Sequence, residues 1–563
     1  MRIFLAAALA VALAVAPAAL PTAAHAQHWR DDTATTIGTT AEWTNKVEIA
    51  DVDGDGWLDI LLANGRGYQT PGTAEACRVF RNKGLWTGTA PFFEETTAQV
   101  FGAATGHARV IKVRDLDGDG DGDVFVGNTY GDASRLYRRD AAGWTDVSAT
   151  ALPAAMPRVG DADFGDVDGD GDLDLVLADW GTGSLMTGAP PRLYLNSGSG
   201  TFTDATTTNL PSIAVKWSWE LDLVDVDDDF DLDLLVASKL GTGSFLLRND
   251  GAGHFTDDSA AALPQFTNNY EFEAMDLDGD DDLDLATIND GTGGRNHLFR
   301  NEGGRFVDAT DTLLTGTANP PDDDNMVAYL DVDADGDADM IVGSLGGPDR
   351  LLVNDGSGRL TLATGAIPGN SPGTLGIAVG DLDGDHRVDV VDGQGETAFP
   401  DLVYRATDLV AADTRAPHVG PVAAISTVDR TVRARVHDTT SLPGELQLDT
   451  VTLQYRGDAT GETPMRWYGE YLWRADLPSA GNFSYQVCAT DLAGTEACSA
   501  EITTGASGGD AGTGSDGGTD PGTDPGGCCG ASRTDPRASV AFAFGIALAV
   551  RWRRRARRSR TAP

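Results

Sequence analysis

Seven times the chain writes Asp-x-Asp-x-Asp-x-x-x-Asp. The first copy places carboxylates at Asp51, Asp53, Asp55 and Asp59, the second at Asp115, Asp117, Asp119 and Asp123, the third at Asp166, Asp168, Asp170 and Asp174. The fourth uses Asp225, Asp227, Asp229 and Asp233, and the fifth Asp276, Asp278, Asp280 and Asp284. The sixth uses Asp331, Asp333, Asp335 and Asp339, and the seventh Asp381, Asp383, Asp385 and Asp389. Four carboxylates on one tight loop form a hard oxygen cage, the chemistry that suits Ca²⁺. The chain is thus expected to hold up to seven Ca²⁺ ions, in a structural role. No proposed ligand is His, and each cage spends all its ligands on one ion, so a catalytic metal is not expected.

The copies start 64, 51, 59, 51, 55 and 50 residues apart, a period that signals a repeat array. Within the third copy, the loop runs into Leu175-Val176-Leu177-Ala178. Then come Leu193-Tyr194-Leu195-Asn196, a Gly-rich turn, and Thr201-Phe202-Thr203-Asp204. With the strand that precedes each loop, this gives four antiparallel strands per unit, the content of one propeller blade. The loops are not EF-hands, which need flanking helices and Glu at position twelve. Position twelve here is Leu62, Val126, Leu177, Val236, Thr287 and Val342, and only the seventh copy is acidic there, at Asp392. The same mismatch argues against a dockerin.

The pattern D-x-D-G-D-G-x-x-D between strands, followed by an L-[YF]-x-N-x-G-x-G-x-F hairpin, resembles the FG-GAP or VCBS repeat of integrin α-chain propellers and their bacterial relatives. The resemblance covers residues about 28 to 410. It implies a seven-bladed propeller with Ca²⁺ loops on one face and a ligand surface on the other. It also implies side-chain ligands at positions one, three, five and nine, with a backbone carbonyl from position seven, such as that of Trp57. The seventh unit lacks a fourth strand after Leu402-Val403-Tyr404-Arg405. Trp29-Arg30-Asp31-Asp32-Thr33-Ala34-Thr35 reads like the missing piece, so residues 29–33 are expected to close the ring and leave no open edge.

Position six of each loop needs a sharp turn that favours positive φ, which Gly tolerates best. Gly56, Gly120, Gly171 and Gly336 fit; Asp281 is tolerable; His386 and Phe230 do not suit it. The fourth loop is therefore expected to be among the weakest sites, with the seventh also weakened by Arg387.

The overall expectation is an all-β chain: a seven-bladed β-propeller followed by an Ig/fibronectin-like β-sandwich. Residues 1–26 read as a signal peptide, with an apolar run to Ala16 and Ala24-His25-Ala26 as its cleavage pattern. The propeller spans 27–412 and the sandwich, read from short alternating strands, 416–504. Residues 505–527 are a Gly/Asp/Thr/Pro-rich linker. In 528–563, Cys528 and Cys529 precede a short apolar segment, 538–550, and seven arginines between Arg551 and Arg560. That tail resembles the MYXO-CTERM sorting tail of myxobacterial surface proteins, which implies processing near the cysteine pair and display on the outer surface. Cys488 and Cys498 are expected to form a disulfide in an exported chain, and Cys77 to be a buried small hydrophobe.

The net charge is −45, to which the loops alone contribute 28 Asp. Seven Ca²⁺ would bring −45 only to −31, so nucleic acid is not an expected partner. Hydrophobic content of 41% and Asp interleaved with apolar runs exclude a disordered acidic tail. The chain carries no H-E-x-x-H, no P-loop and no Rossmann fingerprint set between a strand and a helix. The expectation is a surface-displayed adhesion or ligand-binding protein without catalysis, its partner an extracellular protein or polysaccharide, its membrane contact confined to the tail. Trp217, Trp219 and Tyr270 are candidate ligand contacts on the face away from the loops. Two alternatives stand beside it: a carbohydrate-active enzyme akin to polysaccharide lyases on Ca²⁺-bearing propellers, and an architectural envelope protein.

Overall fold

The computed structural model describes residues 27–505, apart from 85, 88–89, 182–187, 241–242, 290–293, 370–372 and 397–398. Residues 1–26, read above as a signal peptide, and residues 506–563, with Cys528, Cys529 and the apolar segment 538–550, lie outside the described residues. Among the described residues, no helix is long and apolar enough to cross a membrane.

The chain is all-β. Seven four-stranded antiparallel sheets follow one another as propeller blades. Blade three shows the pattern: Val159–Gly165, Asp174–Asp179, Arg192–Asn196 and Phe202–Asp204 pair in sequence order. Its second strand is buried at every position, as a short continuous apolar run flanked by turns requires. The innermost strands, from Thr44–Ala50 in blade one to Thr374–Gly380 in blade seven, neighbour one another in a closed cycle. Apolar layers fill the gaps between blades. Val110, Phe125, Phe164 and Leu177, for instance, join blades two and three.

Blade seven is closed by the N-terminus. Trp29–Asp31 pairs antiparallel with Leu402–Ala406, Trp29 opposite Ala406. The Trp29 ring is fully buried, and its Nε1 donates to the Val388 carbonyl at 2.8 Å. The edge that an open ring would expose is thereby paired. A one-turn helix follows the outer strand in blades one to five, as at Thr206–Asn209. The strand pattern alone did not indicate these helices.

Residues 418–503 form two facing sheets. One contains His418–Val422, Thr431–His437, Leu472–Asp476 and Arg466–Gly469. The other contains Gly461–Pro464, Leu448–Gly457, Phe483–Asp491 and Glu496–Cys498, with Ile502–Thr503 beside it. Val432, Ala434, Val436 and Trp473 from the first sheet share one core with Val451, Leu453, Tyr485 and Val487 from the second. Cys488 and Cys498 are disulfide-bonded across neighbouring strands, and Cys77 is free and buried. This sandwich sits on the loop face of the ring: Tyr468 and Leu472 join the core between blades three and four.

Candidate metal centre

Each aspartate loop links the first strand of a blade to the second, so all seven lie on one face. The ninth-position aspartate opens the second strand in every blade, from Asp59 to Asp389. It is buried, and its Oδ1 accepts a backbone N–H from the end of the third strand. Asn82 to Asp59 is 2.7 Å, Asn196 to Asp174 2.8 Å and Ala406 to Asp389 2.8 Å.

The first-position aspartate does a second job. Its Oδ2 accepts the N–H of position six in all seven loops: Gly56, Gly120, Gly171, Phe230, Asp281, Gly336 and His386, at 2.8 to 3.1 Å. Position six has positive φ throughout, including 67° at Phe230 and 64° at His386. The left-handed turn expected at position six is present, and those two bulky residues stand where L-residues are disfavoured. Position four is left-handed as well: Gly54, Gly118, Gly169, Gly279 and Gly384, but also Asp228 and Ala334. The recurrence of Gly at position four was the signal for it.

In loops one to four, three carboxylates converge with ligand atoms within 4.8 Å: Asp51, Asp53 and Asp59; Asp115, Asp117 and Asp119; Asp166, Asp168 and Asp174; Asp225, Asp227 and Asp229. Several oxygens are buried without a hydrogen-bond partner: Oδ1 of Asp117, Asp225, Asp278 and Asp383, and Oδ2 of Asp123 and Asp284. Burying an unpartnered carboxylate oxygen is expensive. Burial accordingly pushes Asp174, Asp233, Asp284 and Asp339 up to about 8 and Asp123 to about 7, with neighbouring loop carboxylates adding to the shift. Oxygen-only donors, clustered, buried and unpartnered, fit a hard divalent cation.

Two further residue types organise the loops, and the sequence reading assigned neither. The hairpin asparagine staples blades together. Asn301 Nδ2 donates to the Leu283 carbonyl of its own blade at 3.1 Å and to the Val226 carbonyl of the preceding blade at 2.9 Å. Asn82, Asn196, Asn249 and Asn354 do the same. In five blades an arginine of the same blade pairs with the third-position aspartate: Arg81 with Asp53, Arg138 with Asp117, Arg248 with Asp227, Arg300 with Asp278 and Arg405 with Asp383. Asp392, the acidic twelfth residue, is buried beside Asp349. Burial first and then Asp349 hold its carboxyl well above the ordinary range.

The opposite face is built differently. Trp217, Trp219 and Tyr270 are 2%, 7% and 0% exposed, so the stacking contact expected of them is not open to solvent. They converge on cations supplied by the ring itself. Lys239 Nζ lies 4.4 Å from the Tyr270 ring centre and 5.1 Å from that of Trp217, and Arg109 stacks 5.0 Å from Trp180. Trp217 has a φ of 58°, and its buried Nε1 has no hydrogen-bond partner. Between the two faces, a cavity of about 130 Å³ lies among the innermost strands, lined by Lys46, Asp163, Asp222 and Glu273 and by Glu470 and Tyr471 of the sandwich. Burial pushes the Glu273 carboxyl up to about 7.

Four stretches match the family model described as FG-GAP-like repeat: 115–177, 225–287, 276–342 and 331–391. Each begins at the first aspartate of a loop, and together they take in loops two to seven. These matches support an FG-GAP repeat protein. No curated protein matches the chain. Among solved structures, the Photorhabdus luminescens Tc holotoxin pore is similar over 83% of this chain and 20% of its own, at 16% identity and a TM-score of 0.32. This chain thus spans about a fifth of the length of that structure.

Proposed function

We propose that this FG-GAP repeat protein is a calcium-stabilised adhesion or ligand-binding protein displayed at the cell surface, with no catalytic activity of its own. One observation carries the reading. The same loop, with the same hydrogen bonds, recurs seven times on one face and leaves buried carboxylate oxygens unpartnered. A bound Ca²⁺ supplies the positive charge those oxygens lack. The first-, third-, fifth- and ninth-position aspartates hold it, and the ninth also clamps the loop to the third strand. A site filled to about ten times its Kd adds roughly 1.4 kcal/mol, and seven such sites on the order of 10 kcal/mol, comparable to the stability of a whole domain.

The stiffened ring then presents its opposite face to an extracellular protein or polysaccharide. The sandwich, read as an immunoglobulin- or fibronectin-like module, leads from the loop face to the linker and the sorting tail, with Cys528 and Cys529 at its start. That arrangement directs the opposite face away from the envelope. Trp217, Trp219 and Tyr270 support this face from beneath, and the half-buried Tyr68, whose ring lies 5.0 Å from that of Trp217, is nearer to a partner.

The test is to probe glycan and surface-protein arrays with the full chain, in calcium and in chelator. The expected result is calcium-dependent binding to one ligand class, reduced by Tyr68→Ala. Silence in both conditions would favour the architectural reading, and depolymerisation of a polysaccharide would contradict the absence of catalysis.

A further inference from the structure

Two arginines of the sandwich enter the aspartate loops of the ring. Arg474 places Nη1 2.5 Å from Oδ2 of Asp166 and donates to the Gly169 carbonyl at 3.3 Å. Arg435 enters loop four: Nη2 lies 3.3 Å from Asp225 Oδ2, 3.1 Å from the Asp225 carbonyl and 2.8 Å from Asp228 Oδ1. Its Nη1 donates to the Asp281 carbonyl of loop five at 2.9 Å. Asp166 and Asp225 are the first-position carboxylates of loops three and four. The Arg435–Asp225 pair is no surface contact, because both side chains are buried.

The contact is fitted around these pairs. The Asp166 N–H donates to the Tyr468 carbonyl at 2.8 Å, and the Tyr468 hydroxyl donates to the Phe230 carbonyl at 2.8 Å. Backbones approach so closely that a Cβ on Gly469 would meet Leu232 Cδ1 at 2.4 Å and Gly165 Cα at 3.4 Å. Within loop four, Asp225 faces two ways. Oδ2 receives the guanidinium of the sandwich, while Oδ1 is buried and unpartnered.

We propose that calcium and the sandwich are antagonists at loops three and four: filling these two loops loosens the sandwich from the ring, and the seated sandwich weakens these two sites. The proposal rests on the calcium reading above. Its physics is that of two cations sharing one carboxylate away from bulk water, where like charges repel strongly and screening is weak. Linkage makes the effect reciprocal: whatever factor the seated sandwich takes from calcium affinity, calcium takes from the seat. The arginines at the third-position aspartates belong to the blades themselves and stay with their loops. Among the described ion pairs, only Arg474 and Arg435 tie a first-position carboxylate to the sandwich. Loosening the seat also uncovers the cavity between the faces, whose lining includes Glu470 and Tyr471.

The experiment compares the full chain with R435Q/R474Q by calorimetric calcium titration and by hydrogen exchange at the Asp166 amide and across residues 466–474. In the parent chain, exchange at these positions rises as the weaker sites fill. In the double variant, two sites bind about tenfold tighter, a coupling of ordinary allosteric size, and calcium no longer changes the exchange. R435K/R474K, which keeps the charge, retains the parent affinities. The single variants R435Q and R474Q each shift one site and serve if the double variant does not fold. Calcium binding with affinities and exchange unaffected by the glutamine variants would overturn the antagonism and leave the calcium reading standing. Calcium that protects the seat would overturn its sign. No calcium bound to either protein would remove the calcium reading and this proposal with it.

Discussion

On the loop face, seven turns repeat one hydrogen-bond pattern; on the opposite face, the connections around Trp180, Trp217 and Lys239 follow no common pattern. Both faces use left-handed residues other than glycine. On the loop face these are Asp228, Phe230, Asp281, Ala334 and His386, each at a fixed loop position. On the other face they include Tyr130, Trp217, Asn268 and Glu396, each in a different setting. The difference teaches that the same backbone strain has two meanings. At a repeated turn it is a local cost that glycine would relieve. Under a packed aromatic ring it is held in place by burial.

Substitutions on the two faces break or sharpen that contrast. Trp217→Gly relieves the φ of 58° but empties a buried aromatic site, so it should destabilise the ring by about 3–5 kcal/mol in chemical denaturation. A neutral or stabilising result would mean that strain, not packing, dominates the opposite face. Asn301→Ala strips two buried carbonyls, Val226 and Leu283, of their donor on the loop face. It should lower stability by about 2–3 kcal/mol, and equivalent losses are expected at Asn249 and Asn354. Stability unchanged by all three would show that the staples are not what couples the blades.

The cavity between the faces gives a pH test. Glu273 is raised from the ordinary 4.5 to about 7, chiefly by burial. A raised folded value means that the folded state holds the proton. Its stabilisation is therefore complete below about 4.5 and is lost as pH climbs through about 7. Melting temperature should fall over that window, and Glu273→Gln should flatten part of the slope; an identical slope in the variant would refute the assignment. The smallest effect is a gain. His386 is exposed at a φ of 64°, with its N–H fixed to Asp381, so His386→Gly should add about 1 kcal/mol and tighten the seventh loop. Destabilisation by this change would contradict the strain argument drawn for both Phe230 and His386.

Much of the ring was legible in the sequence because one solution is written seven times. The spacing of the aspartates, the left-handed sixth position and the ninth aspartate at the head of a strand all follow from a single repeat. The likeness of Trp29-Arg30-Asp31 to Phe202-Thr203-Asp204 was enough to place the closing strand. What escaped depends on contacts between distant segments. Asn82 reaches Leu382 over 300 positions, and Arg435 reaches Asp225 over 210. No local pattern marks Arg435 as different from any other arginine on an alternating strand. The burial of Trp217, Trp219 and Tyr270 likewise depends on distant segments, since Arg109, over the Trp219 ring, comes from blade two and Tyr68 from blade one.

The measurement that bears most directly on the account is the calcium bound per chain, taken together with thermal unfolding before and after chelation. Several ions per chain and a large, reversible loss of melting temperature on their removal are expected. A chain that binds no calcium and melts at the same temperature in chelator would contradict the calcium reading, and the aspartate loops would then be turns held by their own hydrogen bonds alone.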